Sequence, residues 1–452
     1  MRAAAVLAIT ICLGLPAVCR AAPAEYSVDG GHLGPVAIYA PDGVPGGVVL
    51  FVSGDGGWNS GVVGMARQLR GLGALVAGID VRHCIRNAVS SGPGCSRPAE
   101  EFEQLSHSLQ KHAGLKDYRA PILVGYSSGA GVVYDLVREG ARGTFAGAIS
   151  LGFCASDSVG GQRALQPGAA VNVPWVVLHG ALDQVCNVDA TQAFVAGIRG
   201  AKFVVLPKVG HGYSVEDNWL PQFRDAYLKL VTATTEPAPS KSEVSDLPLV
   251  EISARGNPAG AVANTFAVLL TGDGGYAGLD QDVAAALAER GVPVIAWSTL
   301  RYFWRERTPA EAARDLDRIV RHYTEAWQRQ SVLLVGYSFG ANALPFLVNR
   351  LPPDTRKLVL SVSLVAAATH AEFEIHVADW IPGSVPEGPP VQPALRSLTG
   401  IPILCLSGAG EADNLCATLP TGLARSVELP GGHHFDGDSA TLAREILGFS
   451  GL

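Results

Sequence analysis

The 452-residue sequence has little charge: Asp, Glu, Lys and Arg supply 17% of it, the formal net charge is −7, and it contains no long basic run. Such a chain is a poor match for a polyanion, so we expect no nucleic-acid partner. Beyond the N-terminus there is no uninterrupted apolar run of about 18 residues, and no second membrane-spanning helix is expected. Close cysteine pairs of the C-x-x-C kind and Gly-Lys-Ser/Thr endings to the glycine loops are also missing. We therefore expect no metal site, no phosphate-binding loop and no cofactor.

The N-terminus reads MRAAAVLAITICLGLPAVCRAAPAE. Arg2 is followed by an apolar stretch too short to span a bilayer and then by an alanine-rich run near Ala22. This arrangement predicts a secretory signal peptide over residues 1–24. Cys19 raises the alternative of a lipoprotein anchor, but Val18 precedes it where a small Gly or Ala is expected.

Six cysteines remain after the predicted signal peptide, and an even number in an exported chain predicts disulfides. Proximity in the sequence favours Cys84–Cys95 and Cys405–Cys416, which leaves Cys154 to pair with Cys186. The sequence alone permits other connectivities.

Two motifs occur twice. VVLFVSGDGGW at 48–58 returns as FAVLLTGDGGY at 266–276, and LVGYSSGAGVV at 123–133 returns as LVGYSFGANAL at 334–344. The identical order in both halves indicates a duplicated domain. The sequence between the copies is rich in Pro, Ser, Thr and charge, as is typical of a linker. The predicted organisation is a signal peptide (1–24), an N-terminal domain (25–231), a linker (232–246) and a C-terminal catalytic domain (247–452).

In each half, short apolar runs alternate with helical patterns, which predicts a mostly parallel sheet flanked by helices. The fold class is therefore α/β, with two tandem α/β-hydrolase-like domains. The predicted strands of the second half are 266–271, 292–297, 331–336, 357–364, 401–407 and 425–429, and its helices are 279–290, 309–327 and 341–350. Thr308, Pro309 and Glu311 predict a capped start for the helix at 309. Residues 366–399 interrupt the alternation and suit an inserted cap over a site.

The repeated Gly-x-Ser-x-Gly motif follows an apolar strand and precedes a helix in both halves. This context is typical of the nucleophile elbow of α/β-hydrolases, which places a serine hydroxyl at a helix N-terminus. Ser127 and Ser338 are therefore the candidate nucleophiles.

A serine needs a histidine base and an acid that orients it, and α/β-hydrolases carry them in the order Ser, acid, His. The first half offers Asp183 and His211, which with Ser127 make up a candidate N-terminal triad.

The second half offers Glu411 or Asp413 as the acid and His433 or His434 as the base. We favour Asp413 because it lies just before a cysteine, as Asp183 does. We favour His433 because it directly follows a glycine pair.

The loops SGDGGW and TGDGGY follow the first strand of each half, where glycines allow backbone N–H groups to approach a substrate oxygen. The predicted oxyanion and substrate loop of the second half comprises Gly272, Asp273, Gly274 and Gly275, together with Phe339 after the serine. Asp55 and Asp273 are unexpected beside an oxyanion site. Each either caps the following turn or binds a substrate ammonium group.

The second half also contains STLRYFWRERTP, at 298–309, with three adjacent aromatic residues and three arginines. The hypothesis for this loop is contact with a lipid headgroup or acyl chain, and the alternative is ordinary packing.

The combination GDGGY…LRYFW…RTPAEAARDL…GYSFGAN…GGHHFDGD resembles the C-terminal domain of the VirJ/AcvB family of bacterial periplasmic proteins. SLGFC, GYSSGAGVVYD, LDQVC and VGHGYS in the first half resemble the N-terminal domain of the longer, AcvB-like members. The resemblance implies α/β-hydrolase domains in the periplasm, peripheral to the inner membrane, and Ser338 as the nucleophile. The sequence EADNLC departs from the Asp-Ser pair expected before the cysteine.

The resemblance also implies hydrolysis of aminoacyl-phosphatidylglycerol, notably lysyl-phosphatidylglycerol, and links to virulence and secretion. The expected partners are an aminoacylated phospholipid and a secretion-system or envelope protein bound by the N-terminal domain. The alternatives are a general esterase, thioesterase or peptidase, and a secretion-linked binding protein that uses hydrolase folds as scaffolds. For the first half, catalysis and a binding or regulatory role both stay open.

Overall fold

The computed structural model describes residues 25–83, 98–139, 143–155, 168, 170–235, 243–256, 258–376 and 388–452. The predicted signal peptide, the predicted Cys84–Cys95 pair, the middle of the predicted linker and the middle of the predicted cap lie outside these residues. No helix among the described residues has the length and hydropathy needed to cross a bilayer.

The N-terminal half forms an eight-stranded sheet in the order β1-β2-β4-β3-β5-β6-β7-β8. Strands β1 and β2 pair antiparallel at one edge, and from β4 to β8 the pairs are parallel. The strands are Glu25–Asp29 (β1), Pro35–Tyr39 (β2), Gly47–Val52 (β3), Ala74–Ile79 (β4), Ile122–Tyr126 (β5), Gly147–Leu151 (β6), Ala170–Gly180 (β7) and Arg199–Leu206 (β8). The helices are Ser60–Gly71 (α1), Pro98–His112 (α2), Ser128–Glu139 (α3), Val188–Ala196 (α4) and Leu220–Thr235 (α5), with 3-10 turns at Gly31–Leu33 and Glu216–Asn218.

The C-terminal half forms a seven-stranded sheet in the order β15-β14-β13-β12-β10-β11-β9. The strands are Leu249–Ile252 (β9), Thr265–Leu270 (β10), Val294–Trp297 (β11), Ser331–Tyr337 (β12), Val359–Val365 (β13), Ile403–Gly408 (β14) and Arg425–Leu429 (β15). The helices are Gly260–Ala263 (α6), Gly278–Glu289 (α7), Thr299–Tyr302 (α8), Pro309–Ala326 (α9), Phe339–Val348 (α10), Pro353–Arg356 (α11), Val391–Arg396 (α12), Leu415–Thr418 (α13) and Ser439–Phe449 (α14), with a 3-10 turn at Gly432–Gly437.

The two sheets share a core order, since β4-β3-β5-β6-β7-β8 corresponds to β11-β10-β12-β13-β14-β15. Every residue of β3 and of β10 is buried, as expected for central parallel strands covered by helices on both faces. The predicted α/β fold class with a mostly parallel sheet in each half is confirmed. The exact domain boundaries stay a prediction.

Local signals located the helices well. Thr308 accepts the N–H of Glu311, the Glu311 carboxylate accepts the N–H of Thr308, and Pro309 opens α9, so the predicted capped start is confirmed. The helix after the second serine begins at Phe339 rather than at 341, because the serine itself is the residue before the first helical turn. The sequence pattern missed the antiparallel edge strand β9 and the C-terminal helix α14.

The aromatic loop of the second half packs inside the protein. Tyr302, Phe303 and Trp304 are only 3%, 1% and 2% exposed, so the hypothesis that they contact lipid is wrong and the packing alternative holds. Trp304 reaches the first half, where its Nε1 donates to the carbonyl oxygen of Leu115 at 2.9 Å. The ammonium of Lys111 lies 4.7 Å from the centre of the indole ring. The loop therefore joins the two halves.

Both predicted disulfides that fall within the described residues are present. Cys154 is bonded to Cys186 and Cys405 to Cys416. The first joins the loop after β6 to the loop after β7, and the second joins β14 to α13.

Candidate active sites

Ser338 lies at a sharp turn between β12 and α10. Its φ is 50°, a conformation that is strained for a residue with a side chain and is kept only where the surroundings enforce it. A Cβ at Gly336 would lie 2.6 Å from the Gly340 carbonyl oxygen, and one at Gly340 would lie 2.3 Å from the Leu270 carbonyl oxygen. The glycines on either side of the serine are therefore required by the close passage of backbone.

His433 connects this serine to an acid. Its Nε2 lies 3.0 Å from Ser338 Oγ, and its Nδ1 lies 3.0 Å from Glu411 Oε1. The Glu411 side chain is 5% exposed, whereas that of His433 is 44% exposed. The arrangement can move a proton from the hydroxyl to the ring while the carboxylate orients the ring and stabilises its charge.

The favoured acid, Asp413, does not contact His433 in this arrangement. Its Oδ1 accepts the N–H of Thr369 at 3.1 Å, so it holds the start of the predicted cap segment instead. Asp413 was favoured because it lies just before Cys416, as Asp183 lies just before Cys186. Counting forward from the strand selects Glu411, because it follows Gly408 at the end of β14 by the same interval at which Asp183 follows Gly180 at the end of β7.

The two adjacent histidines have different partners. His434 Nδ1 lies 2.9 Å from the hydroxyl of Tyr337, whereas His433 faces the serine. The structure thus brings the favoured His433 to Ser338, whereas His434 contacts Tyr337 at the end of β12.

The glycine loop of the second half lies directly against Ser338. A Cβ at Gly272 would be 3.6 Å from Ser338 Cβ and 3.2 Å from the Tyr337 ring. The N–H of Gly272 itself donates to Asp280 Oδ2 at 3.2 Å, so it is not free to bind an oxyanion. Phe339 is the first residue of α10, and the N–H groups of a first helical turn have no partner within the helix. The N–H of Phe339 is therefore one candidate oxyanion donor, and the N–H groups of Asp273 and Gly274 are the others.

Sequence reasoning missed Asp280. The residue lies in the first turn of α7, is fully buried under the glycine loop, and its Oδ1 has no hydrogen-bond partner among the described residues. Burial raises the pKa of its carboxyl well above the usual range, with the N–H of Gly272 opposing that shift and the charge of Asp273 adding to it. Its helix, GLDQDVAAALAE, also contains Asp282 and Glu289. The available signal was spacing, because Asp280 precedes the apolar residues Val283, Ala284 and Leu287 by three, four and seven positions.

Neither loop aspartate is the N-cap of the helix that follows. Asn59 is the N-cap of α1, with its side chain accepting the N–H of Gly61, and Ala277 is the N-cap of α7. Asp55 is exposed and Asp273 is half-buried beside the candidate oxyanion donors.

The first half brings together all three of its candidate residues. Ser127 has φ 54° between β5 and α3, and its Oγ lies 3.0 Å from His211 Nε2. His211 Nδ1 lies 2.8 Å from Asp183 Oδ2. A Cβ at Gly54 would lie 3.0 Å from Ser127 Cβ, which places the first glycine loop beside this serine as well.

Asp183 is held by backbone donors and by a disulfide. Its Oδ1 accepts the N–H groups of Val185 and Cys186, each at 2.9 Å. Burial alone would raise the pKa of Asp183, but the hydrogen bonds from Cys186, His211 and Val185 together lower it below its ordinary value. Cys186 Sγ lies 3.7 Å from His211 Nδ1. Because that sulfur is bonded to Cys154, the group Asp183, Cys186 and His211 does not offer a free thiolate to a metal ion.

Two mostly parallel sheets, each with a serine on a strained strand-to-helix turn and a histidine and a carboxylate within reach, define an α/β-hydrolase fold. Residues 264–449 match the family described as bacterial virulence protein (VirJ). The resemblance noted in the sequence is thereby confirmed for the C-terminal half. Comparison with curated proteins finds no match.

Among solved structures, the esterase domain of a Rhodothermus marinus protein is 16% identical, with a TM-score of 0.33, and the alignment covers 45% of this chain and 97% of that one. Est1E from Butyrivibrio proteoclasticus is 13% identical, with a TM-score of 0.34 and coverage of 46% and 100%. Dienelactone hydrolase from Anabaena variabilis is 17% identical, with a TM-score of 0.36 and coverage of 47% and 98%.

Proposed function

We propose that this protein is a serine ester hydrolase whose C-terminal half cleaves the aminoacyl ester of aminoacyl-phosphatidylglycerol, releasing the amino acid and phosphatidylglycerol. The observation that carries the hydrolase proposal is the continuous contact from Ser338 through His433 to Glu411 beside a glycine loop. The substrate proposal, with lysyl-phosphatidylglycerol as the first choice, rests on the VirJ resemblance and is supported by the charge of the site.

Acidic residues lie on two loops of the site, the loop after β14 and the glycine loop after β10. Glu411 and Asp413 each have one buried carboxylate oxygen without a partner among the described residues, and Asp273 is half-buried on the loop beside Ser338. Such a site attracts an ammonium group and disfavours a second anion. An aminoacyl ester carries a positive α-ammonium next to the carbonyl carbon that is attacked, so the charges suit this class of substrate.

In the proposed reaction, Ser338 Oγ attacks the ester carbonyl carbon and His433 Nε2 accepts its proton. The tetrahedral oxyanion is stabilised by the N–H of Phe339 and by an N–H of the glycine loop, while Glu411 stabilises the imidazolium. The bond to the glycerol oxygen breaks, and His433 returns the proton to phosphatidylglycerol. Water then attacks the aminoacyl-serine with His433 again as the base, and the amino acid leaves with the serine regenerated.

The test uses the full mature chain and vesicles that contain lysyl-phosphatidylglycerol, with free lysine and phosphatidylglycerol followed by mass spectrometry. We expect the wild type to release both products in equal amounts. Ser338→Ala should lower the rate by about 10³-fold or more, as for other serine triads. Thr441→Ala, in α14, is the matched hydroxyl deletion outside the site and should keep full activity.

The outcomes test the lipid substrate and the hydrolase activity of the C-terminal half separately. If wild type reacts with a fluorophosphonate at Ser338 and hydrolyses p-nitrophenyl esters but releases no lysine, the protein is a general esterase and the lipid substrate is wrong. If Ser338 neither reacts nor affects any hydrolysis, the C-terminal half is not the catalyst.

The site of action is part of the same proposal. We place the enzyme in the periplasm, at the surface of the inner membrane, on the strength of the predicted signal peptide and the family resemblance. Fractionation of cells that express the full chain tests this, and retention in the cytoplasm with an unprocessed N-terminus would contradict it. An envelope protein as partner of the N-terminal half is testable by crosslinking in the same cells.

A further inference from the structure

The geometry points to a second, independent ester hydrolase site in the N-terminal half, centred on Ser127, that takes esters of apolar acyl groups. Ser127, His211 and Asp183 form the same chain of contacts as the C-terminal residues, at 3.0 and 2.8 Å. The first half supplies its own elbow, acid, base and glycine loop, so the site borrows no triad residue from the second half.

The candidate base, His211, is held by a hydrogen bond to its backbone. The hydroxyl of Tyr126 donates to the His211 carbonyl oxygen at 2.9 Å, which ties the histidine loop to the strand that carries the serine. The Asp183 side chain is 0% exposed and that of His211 is 17% exposed, so the acid is shielded while the ring reaches an open face. The residue after the nucleophile differs between the sites, since Ser128 follows Ser127 and Phe339 follows Ser338.

The surroundings of this triad indicate the class of acyl group. Leu182, Val185 and Val215 are 61%, 66% and 56% exposed, and they lie beside Asp183 and just after His211 in the chain. The N–H of Leu182 donates to the Val209 carbonyl oxygen at 2.9 Å, which packs the acid loop against the histidine loop. We call Leu182, Val185 and Val215 the apolar rim.

The described residues of the other half contain no counterpart of the apolar rim. All the exposed large apolar residues within the described part of the chain belong to the first half, and half of them form this rim. Exposed apolar groups gathered at a polar site mark a surface that binds apolar ligand. The acid loop of the C-terminal site instead carries Glu411 and Asp413, each with one buried carboxylate oxygen that has no partner among the described residues. The two sites therefore select different esters.

The proposed reaction of Ser127 has the same two steps as that of Ser338, acylation of the serine and hydrolysis of the acyl-serine. The Ser127 Oγ bonds to the acyl carbon, the bond from that carbon to the alcohol oxygen breaks, and the serine proton passes through His211 to the alcohol. Water then cleaves the acyl-serine to a carboxylic acid and restores the serine hydroxyl. No oxidant, reductant or further reactant is needed.

The experiment uses the full chain with Ser338→Ala, which removes the C-terminal nucleophile and makes the result independent of the lipid proposal. A fluorophosphonate probe should label one peptide, the one that contains Ser127, and adding Ser127→Ala should abolish the label. The Ser338→Ala protein should hydrolyse p-nitrophenyl octanoate with a kcat/KM about tenfold above that for p-nitrophenyl acetate, because the longer chain contacts the rim. The double variant should lose about 10²-fold or more of this activity.

The rim is tested separately. Leu182→Ser with Val185→Ser should lower the octanoate-to-acetate ratio severalfold in the Ser338→Ala background. Val205→Ser with Leu228→Ser is the matched control, since these residues are also exposed and apolar (42% and 46%) but lie on β8 and α5. The control should leave the ratio unchanged.

Three results would overturn the inference. One is a Ser338→Ala protein with unchanged thermal unfolding that takes no label at Ser127. Another is ester hydrolysis that survives Ser127→Ala in the same background. The third is a chain-length ratio that the rim variant leaves untouched, which would remove the apolar substrate class even if Ser127 reacts.

Discussion

The two halves of this chain carry the same sheet order and the same contact geometry around a serine, yet they support it differently. Asp183 is fixed by two backbone N–H groups and lies next to a disulfide. Glu411 makes its contact with His433 through one oxygen, and its other oxygen is buried without a partner in the described part of the chain. The two acids keep the same position relative to the ends of β7 and β14, while the loops beyond them differ.

The buried carboxyl under the glycine loop is a second difference. Counting from the paired loop aspartates, the position of Asp280 in the second half is occupied by Val62 in the first. Val62 is 1% exposed and Asp280 is 4% exposed, so an apolar contact in one half is replaced by a hydrogen bond to the loop backbone in the other. The glycine loop of the C-terminal half is thus held by a hydrogen bond from the Gly272 N–H to the buried Asp280 side chain.

The largest expected effect concerns the acids. Glu411→Gln should lower kcat on the C-terminal substrate by about 10³- to 10⁴-fold, because the neutral amide neither orients nor stabilises the His433 imidazolium. Asp413→Asn should change kcat by less than about tenfold, since Asp413 contacts Thr369 rather than the ring. Steady-state kinetics on both variants decide the matter, and a greater loss for Asp413→Asn would return the acid role to that residue.

Next comes the junction between the halves. Trp304→Ala should lower the free energy of unfolding by about 3–5 kcal/mol, because it removes a buried indole and leaves the Leu115 carbonyl oxygen without its donor. Arg305→Ala is the neighbouring control. Its ion pair with Asp117 is largely exposed and should contribute less than about 1 kcal/mol. Denaturant titration of both variants measures the difference, and equal effects would contradict the role assigned to the indole.

The disulfides provide a smaller contrast. Cys154→Ser with Cys186→Ser should slow fluorophosphonate labelling of Ser127 by about tenfold or more, because Cys186 donates an N–H to Asp183 and touches His211. Cys405→Ser with Cys416→Ser should affect labelling of Ser338 less. Each pair should cost about 2–4 kcal/mol of stability, so stability alone does not explain a difference in labelling. Equal slowing of the two serines would show that the first disulfide has no special influence on its triad.

The smallest effect is on the pH dependence of stability. The folded-state pKa of Asp280 is raised above its unfolded value near 3.8, so its contribution is most favourable below that value and is lost as pH rises toward the folded pKa. Asp280→Asn keeps an acceptor for the Gly272 N–H and should remove this dependence, which is at most about 1.4 kcal/mol per pH unit. Denaturation at pH 5 and pH 7 compares the variant with wild type. A variant that loses stability relative to wild type as pH rises would contradict the sign.

Much of this arrangement was predictable from the sequence because its causes are local. The strands, the capped start of α9, the two elbows and His433 follow from apolar runs, turn residues and motif order. Glu411 was one of two candidates and was not the favoured one. The identity of the acid depends on how far the chain runs beyond β14, and the cysteine used as a marker lies two residues farther along than its counterpart. Trp304 is buried by residues of the other half. The sequence of residues 298–309 alone therefore could not predict that it is buried.

The indole of Trp304 has a consequence for how the halves behave when separated. It packs against Lys111 and Tyr118 of the first half and donates to the Leu115 carbonyl oxygen. A fragment that contained only the second half would expose this aromatic side chain to water, and an exposed aromatic surface favours association with other molecules. The first half therefore shields an adhesive surface of the second, although each half carries its own serine, histidine and carboxylate.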